Sequence, residues 1–534
     1  MQNTLYTRAL YPYDELFSPF CCGKLSLKNR IIAMPPDGLT ALKAERFALD
    51  AAAGGAGLVC AELTAELCRK IRELGSRAFY LTKGKRLDAA LAPGCDGLCM
   101  DLRDMPLGKA AELTKAARCN AGEELPIMCR VSVTKANIGG LASLERAGAD
   151  MLGIEPCADE SVWLRKPTEG MSAGCFMELG WLAKAVADIP IAVCGKLGYP
   201  DTAEAAVRNG ACDAVMLGRT LLSDPEWCVK AISGAVDEII PYINPEGRLL
   251  ANACTKAEDK KRIAVIGGGL TGMSFALCAA NRGHTVDLFE SGVRLGGRMY
   301  SGAWADTLGY RRWLVLRLCR SANVQIYLNS YVDAAGLVDG YDAVVYANGT
   351  RLRPEPDIPN WGDIPFVPLW VLASQGERFS GRRIAVLGGG SAACKCALQL
   401  RKTRPTARVT VIEEDCDIMK NSPSNEREWF RKSFEIQGVE LMTLSQPLRI
   451  SEGCLLVRQS CSAALGTAYS PETFIRSVPC DLIVLAQEEI PDTSQYLAAR
   501  SELPTAQLYC LTGSFFPCDI VSATRAAYGL AQRI

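Results

Sequence analysis

Short apolar runs alternate with helix-patterned stretches through the first 240 residues. Eight of these runs predict strands: Arg30–Met34, Gly57–Ala61, Ala78–Leu81, Gly97–Met100, Ile127–Arg130, Met151–Ile154, Ile191–Cys194 and Ala214–Leu217. Stretches such as Leu113–Arg118 and Thr202–Val207 supply helical patterns between several of them. Repeated strand–helix units of this number predict an α/β chain that opens with a (β/α)8 barrel of the TIM type, its site at the C-terminal strand ends. An open doubly wound sheet is the alternative, and the third run is the weakest of the eight. The second half has a different rhythm. Arg262–Ile266 and Arg383–Leu387 are matching apolar strands, each followed by three glycines and an Ala-rich helix. Tyr341–Gly349 and Cys480–Gln487 then close the two units. The expected organisation is a barrel over 1–240, a linker over 241–261, one Rossmann-like dinucleotide-binding domain from 262–375 and 489–534, and a second one, 376–488, inserted into it.

The two glycine turns carry the first chemistry. Gly267, Gly269 and Gly272 precede Val286–Phe289 and its terminal acid Glu290, and Gly388, Gly390 and Ala393 precede Val409–Ile412 and Glu413. Strand, tight turn, helix N-terminus and a strand-end acid about 20 residues on form the dinucleotide fingerprint: glycines admit the pyrophosphate and the acid accepts ribose hydroxyls. Two such units in one chain predict a redox protein built around two dinucleotides.

Charge and composition mainly exclude. Basic and acidic residues are balanced at 59 each, with no long basic run, which argues against nucleic acid and an electrostatically held membrane surface. No apolar run reaches the ~18 residues of a spanning helix, and Met1–Arg8 does not read as a signal peptide. A cytoplasmic protein is expected. The 24 cysteines are scattered through apolar segments, with no Cys-x-x-Cys pair, and read as buried free thiols. No metal site is expected. The single histidine, His284, lies in a polar Arg-Gly-His-Thr turn and reads as solvated.

The order of these parts resembles the 2,4-dienoyl-CoA reductase branch of the old yellow enzyme family. Leu16–Ile31, Ala52–Glu62, Ile189–Lys196 and Ala214–Pro225 carry the likeness, which spans nearly the whole chain. The resemblance implies FMN in the barrel, FAD in the first dinucleotide domain and NADH or NADPH in the inserted one. It places Gly195, Gly218 and Arg219 at the FMN phosphate, Arg130 at the flavin pyrimidine edge, and Ala33 to Pro35 beneath the ring. Gly297 and Arg298, within Leu295–Arg298, would approach the FAD pyrophosphate or ribityl chain.

Departures from the family are equally informative. The family's His-x-x-His-Gly-Tyr segment, which grips substrate and supplies a proton, is here Asp101-Leu-Arg-Asp104-Met-Pro106. Asp101, Arg103 and Asp104 are either a replacement acid–base set or a solvated strand-end cluster. The linker holds only Cys254 where relatives place four cluster ligands, so no iron–sulfur cluster is expected. Gly513 and Ser514 stand where the family has Gly-Asp at the ribityl chain. Glu413 would repel a ribose 2′-phosphate and favours NADH over NADPH. The leading expectation is a flavin-dependent oxidoreductase that reduces an activated C=C bond of a small-molecule substrate with NADH. A non-catalytic or partner-dependent subunit, held to a cluster-bearing redox partner or to its own copies, is the alternative. A third reading is a flavin or disulfide reductase that uses the C-terminal half alone.

Overall fold

The computed structural model describes residues 13–83, 94–157, 167–168, 170–243, 255–300, 305–332, 340–352, 358–359, 364–369, 371–372, 379–420, 422, 424–460, 473–486, 489–503, 507–511 and 520–534. The chain divides into two compact units, Met1–Arg248 and Leu249–Ile534.

In the first unit, eight parallel strands close into a barrel: β1 Ile31–Ala33, β2 Leu58–Ala61, β3 Arg77–Lys83, β4 Gly97–Asp101, β5 Ile127–Val133, β6 Met151–Pro156, β7 Ile191–Val193 and β8 Ala214–Leu217. Closure is made by β8 against β1, with Val215 opposite Ile31. The open-sheet alternative is thereby excluded. β2, β5, β6 and β8 are buried along their whole length, as expected of parallel strands covered on both faces. The lumen is packed with Met34, Met128, Met151, Met216, Cys60, Cys99 and Phe79. A hairpin of Phe20–Cys22 and Leu25–Leu27, which the apolar pattern did not announce, adds Phe20, Cys22 and Leu27 to that same core.

An aspartate just before a strand repeatedly fixes register in both units. Asp96, Asp150 and Asp213 accept from the backbone N–H of Ala78, Ile127 and Ile191, at or beside the start of the neighbouring strand. Asp342 and Asp481 do the same for Arg262 and Arg383. Each carboxylate thus satisfies a strand-end donor that the ladder leaves open.

The second unit contains two five-stranded parallel sheets. The first runs Val324–Tyr327, Thr285–Phe289, Arg262–Ile266, Ala343–Tyr346, Leu508–Cys510, and the second Phe366–Pro368, Leu482–Leu485, Arg383–Leu387, Arg408–Ile412, Val439–Met442. An antiparallel ribbon of Thr350–Leu352 with Glu489–Pro491 marks where the chain leaves and re-enters the first lobe. Phe366–Pro368 pairs with Leu482–Leu485, so the inserted lobe takes up chain ahead of the expected boundary at 376. A three-stranded antiparallel sheet, Ser445–Ser451, Cys454–Ser460 and Thr473–Pro479, is also part of the insertion.

His284 corrects the sequence reading. Helix Leu270–Arg282 ends at Gly283 in the left-handed conformation (φ 104°), and the reversal folds His284 inward until it is fully buried. Its Nδ1 accepts the Lys261 backbone N–H at 3.0 Å. Burial first, then the charges of Arg282 and Lys261, pushes the imidazole below its ordinary pKa. Polar neighbours in sequence had masked a structural role.

Candidate functional site

The two glycine turns have the same architecture. Gly267 and Gly388 sit at φ 109° and 107°, which favours glycine strongly over other residues. A Cβ on Gly267 would also meet the Ala347 carbonyl at 2.3 Å, and one on Gly272 the Gly267 carbonyl at 1.9 Å. These two glycines are therefore dictated by strand–helix packing. Gly269 and Gly390 differ, because a Cβ on either would meet nothing within 4 Å. Each lies just before a helix, Leu270–Arg282 or Ser391–Thr403, so an open backbone face adjoins the positive end of a 13-residue dipole. Ala393, fully buried, fills the third position of the second turn.

Both strand-end acids close back on their turns. Glu290 accepts from the N–H of Gly268 at 2.8 Å and of Gly292 at 2.7 Å. Glu413 accepts from Gly389 and, at 2.9 Å, from the N–H of Asp415. The turn Leu295–Arg298 lies against the first site: Gly296 N–H donates to the Gly268 carbonyl at 2.9 Å, and a Cβ on Gly297 would lie 3.3 Å from Gly269 Cα. Arg298 donates to the Thr350 carbonyl, and burial pushes its guanidinium down to about 10. Gly513, Ser514 and Cys254 lie outside the described residues.

At the C-terminal mouth of the barrel a buried ion network forms, and only part of it was legible. Arg103 donates to both oxygens of Asp101 at 2.8 Å each, to Asp37 at 2.9 and 3.2 Å, and to Glu155 at 3.2 Å. Arg130 donates to Glu155 at 2.6 Å and lies 3.6 Å from Asp101. Arg103, Arg130 and Glu155 are all buried. Burial alone would raise the Asp101 carboxyl, but its Arg103 hydrogen bonds and the charges of Arg130 and Arg103 hold it below the ordinary value. Burial likewise opposes charge on Arg103, and its bonds to Asp101 and Asp37 overcome this. Asp101 and Arg103 thus come together, while Asp104 stays on the exposed turn beyond them. Asp37 and Glu155 were not anticipated. Each sits at or just past the end of an apolar strand, β1 or β6, the one available signal.

The β7 and β8 ends bring the expected phosphate residues together with others. Gly195, at φ 109°, is followed by Lys196, a buried non-glycine residue at φ 52°. Arg219 donates to the Pro167 carbonyl at 3.2 Å and lies 5.6 Å over the Tyr242 ring, with Lys196 Nζ 6.0 Å from the same ring. The hydroxyl of Thr168, next to Pro167, is buried without a hydrogen-bond partner, as is that of Ser132, two residues beyond Arg130. A Cβ at Gly195 would strike the Phe176 ring and one at Gly218 the Met34 carbonyl, so both glycines also have packing reasons. Ala33 is buried at the end of β1, and Pro35 follows half-buried.

With this geometry in view, residues 265–311 match the NAD(P)-binding Rossmann-like domain family and residues 321–493 the pyridine nucleotide-disulphide oxidoreductase family. Bilirubin reductase of Mediterraneibacter gnavus is 28% identical over 376 residues, 64% of this chain and 55% of that protein. Cinnamate reductase of Clostridium sporogenes is 26% identical over 360 residues, 58% and 53% of the two chains. Both of these relatives are named as reductases. The matches span about half the length of these curated relatives. The fold is shared with 2-naphthoyl-CoA reductase at a TM-score of 0.80 and 16% identity, covering 98% of this chain and 100% of that one. Both family models are named for nicotinamide nucleotides. Among the described residues, no helix is long and apolar enough to cross a membrane.

Proposed function

We propose that this chain is a flavin-dependent NAD(P)H oxidoreductase that reduces an activated carbon–carbon double bond in a small molecule. The carrying observation is the pair of glycine turns, each leaving one glycine face open at a helix N-terminus, Gly269 and Gly390. The reductases among the homologues support the reaction class. In this reading FAD is held by the Gly267–Gly272 turn, Glu290 and Leu295–Arg298, and NADH by the Gly388–Ala393 turn and Glu413. FMN is held in the barrel by Gly195, Gly218, Arg219 and Arg130. The orphaned hydroxyls of Ser132 and Thr168 support this placement, since a polar ligand there would satisfy them. Bound flavin supplies hydride transfer.

The protein's own residues set orientation and charge. Glu290 and Glu413 are pinned by backbone N–H groups, with lone pairs left for ribose hydroxyls. Arg219 brings a cation to the phosphate end. Asp101, held ionised by Arg103, orients charge at the mouth and does not deliver the proton. Electron relay through an iron–sulfur cluster is not part of the proposal, because the linker has Cys254 alone.

Steady-state NADH oxidation with a panel of enones and enoates tests the reaction. Absence of turnover with flavin loaded would overturn it. The saturated Asp101–Arg103 pair favours a second reading, a partner-dependent or non-catalytic subunit, which predicts co-purification with a cluster-bearing protein.

Two variants test the assigned cofactor residues. Glu413→Gln removes the charge that repels a 2′-phosphate, so the NADH-over-NADPH preference in kcat/KM should fall about tenfold, or about 1.4 kcal/mol. Arg219→Ala should remove a charge-assisted contact of roughly 1.5–3 kcal/mol and weaken FMN binding about tenfold to over a hundredfold. Titration of stripped protein with FMN measures the loss. Unchanged affinity would remove Arg219 from the site.

A further inference from the structure

We propose that Glu155 is a positioning residue that sets the reduction potential of the barrel flavin by neutralising Arg130. The inference rests on the reading that FMN occupies the barrel with Arg130 at its ring edge. A reduced ring that has taken two electrons and one proton carries one more negative charge than the oxidised ring. A buried lone guanidinium at its edge would favour that state strongly, because few water dipoles screen it.

Arg130 is not alone. Its Nε donates to Glu155 at 2.6 Å, a second guanidinium nitrogen lies on the same oxygen, and Asp101 lies 3.6 Å away. The other Glu155 oxygen takes Arg103 at 3.2 Å. Arg103 in turn is shared with Asp101 and Asp37. Among the described residues, these pairings set three carboxylates against two guanidiniums, a net charge of one negative. Glu155 and both arginines are buried, so the pairing is screened little by salt. Such a mouth holds the potential low, which suits transfer of hydride out to an acceptor.

The test uses the full chain, stripped of flavin and reloaded with FMN, in a dye-referenced spectroscopic redox titration. Glu155→Gln keeps the hydrogen-bonding shape and removes the charge. The ratio of reduced-to-oxidised FMN affinity should rise at least about tenfold, which for a two-electron couple is about 30 mV upward. Glu155→Asp, which keeps the charge, should stay near the parent. Asp37→Asn alters the outer end of the network, where the side chain is 41% exposed, and should shift the potential the same way by less. It carries the test if Glu155→Gln does not fold. Unchanged or lowered potentials in the folded variants, with FMN retained, overturn the inference. Failure of the parent to bind FMN defeats the barrel reading itself and the inference with it.

Discussion

Arg103→Ala is expected to destabilise the barrel by about 3–5 kcal/mol, the range for removing one partner of a buried ion pair. The cost comes from what remains. Asp101 would keep a buried carboxylate whose main counter-charge has gone, Glu155 would keep Arg130 but lose its second guanidinium, and Asp37 would lose its two bonds to Arg103. Denaturant unfolding of parent and variant at pH 7 measures the difference. Its pH dependence has a definite sign. The folded Asp101 carboxyl lies below its ordinary value of 3.8, so the stability it contributes is complete above 3.8 and is lost as pH falls through the lower folded value. The variant, lacking that depression, should therefore close part of its gap to the parent in acid. A gap that stays constant from pH 7 down to the acid transition would mean Arg103 stabilises by packing alone.

Gly272→Ala should be nearly as severe and confined to the other unit. The added methyl would sit 1.9 Å from the Gly267 carbonyl and 3.2 Å from Ala347 Cβ. The first obstacle is backbone, so the helix must move away from the turn, at roughly 1–3 kcal/mol or more for overpacking. The open face at Gly269 moves with it. We expect FAD affinity to fall by about a hundredfold or more, since 1.4 kcal/mol is tenfold, while FMN affinity is unchanged. Titration with each flavin separates the two effects. Undiminished FAD binding would show that the turn tolerates what the packing forbids.

The features legible in the sequence are those made by neighbours in the chain. A buried parallel strand is a short apolar run, so all eight barrel strands were readable, even the weak Ala78–Leu81. The glycine turns were readable because turn, helix start and acid lie within one local unit. The mouth network was not, because its members come from the β1, β4, β5 and β6 ends. Asp37 and Glu155 are 118 residues apart, and only barrel closure brings both to Arg103. His284 misled for the opposite reason: local polarity said turn, while the Gly283 reversal put the ring inside. The inserted lobe's first strand, Phe366–Pro368, is three residues long and pairs with a segment more than a hundred residues later, too weak and too distant a signal to place a boundary.

The ribbon of Thr350–Leu352 with Glu489–Pro491 has a consequence for how such a chain can be recombined. Leu352 lies directly opposite Glu489, so the polypeptide departs and returns at neighbouring points about 5 Å apart. Everything between forms a cassette with adjacent ends. It can be excised and replaced by a two-residue hairpin turn of the Asn-Gly kind without opening the first lobe's sheet, whose final strand, Leu508–Cys510, lies after the return. A chain built this way can exchange its inserted lobe as a single genetic block while the rest of the molecule keeps its register.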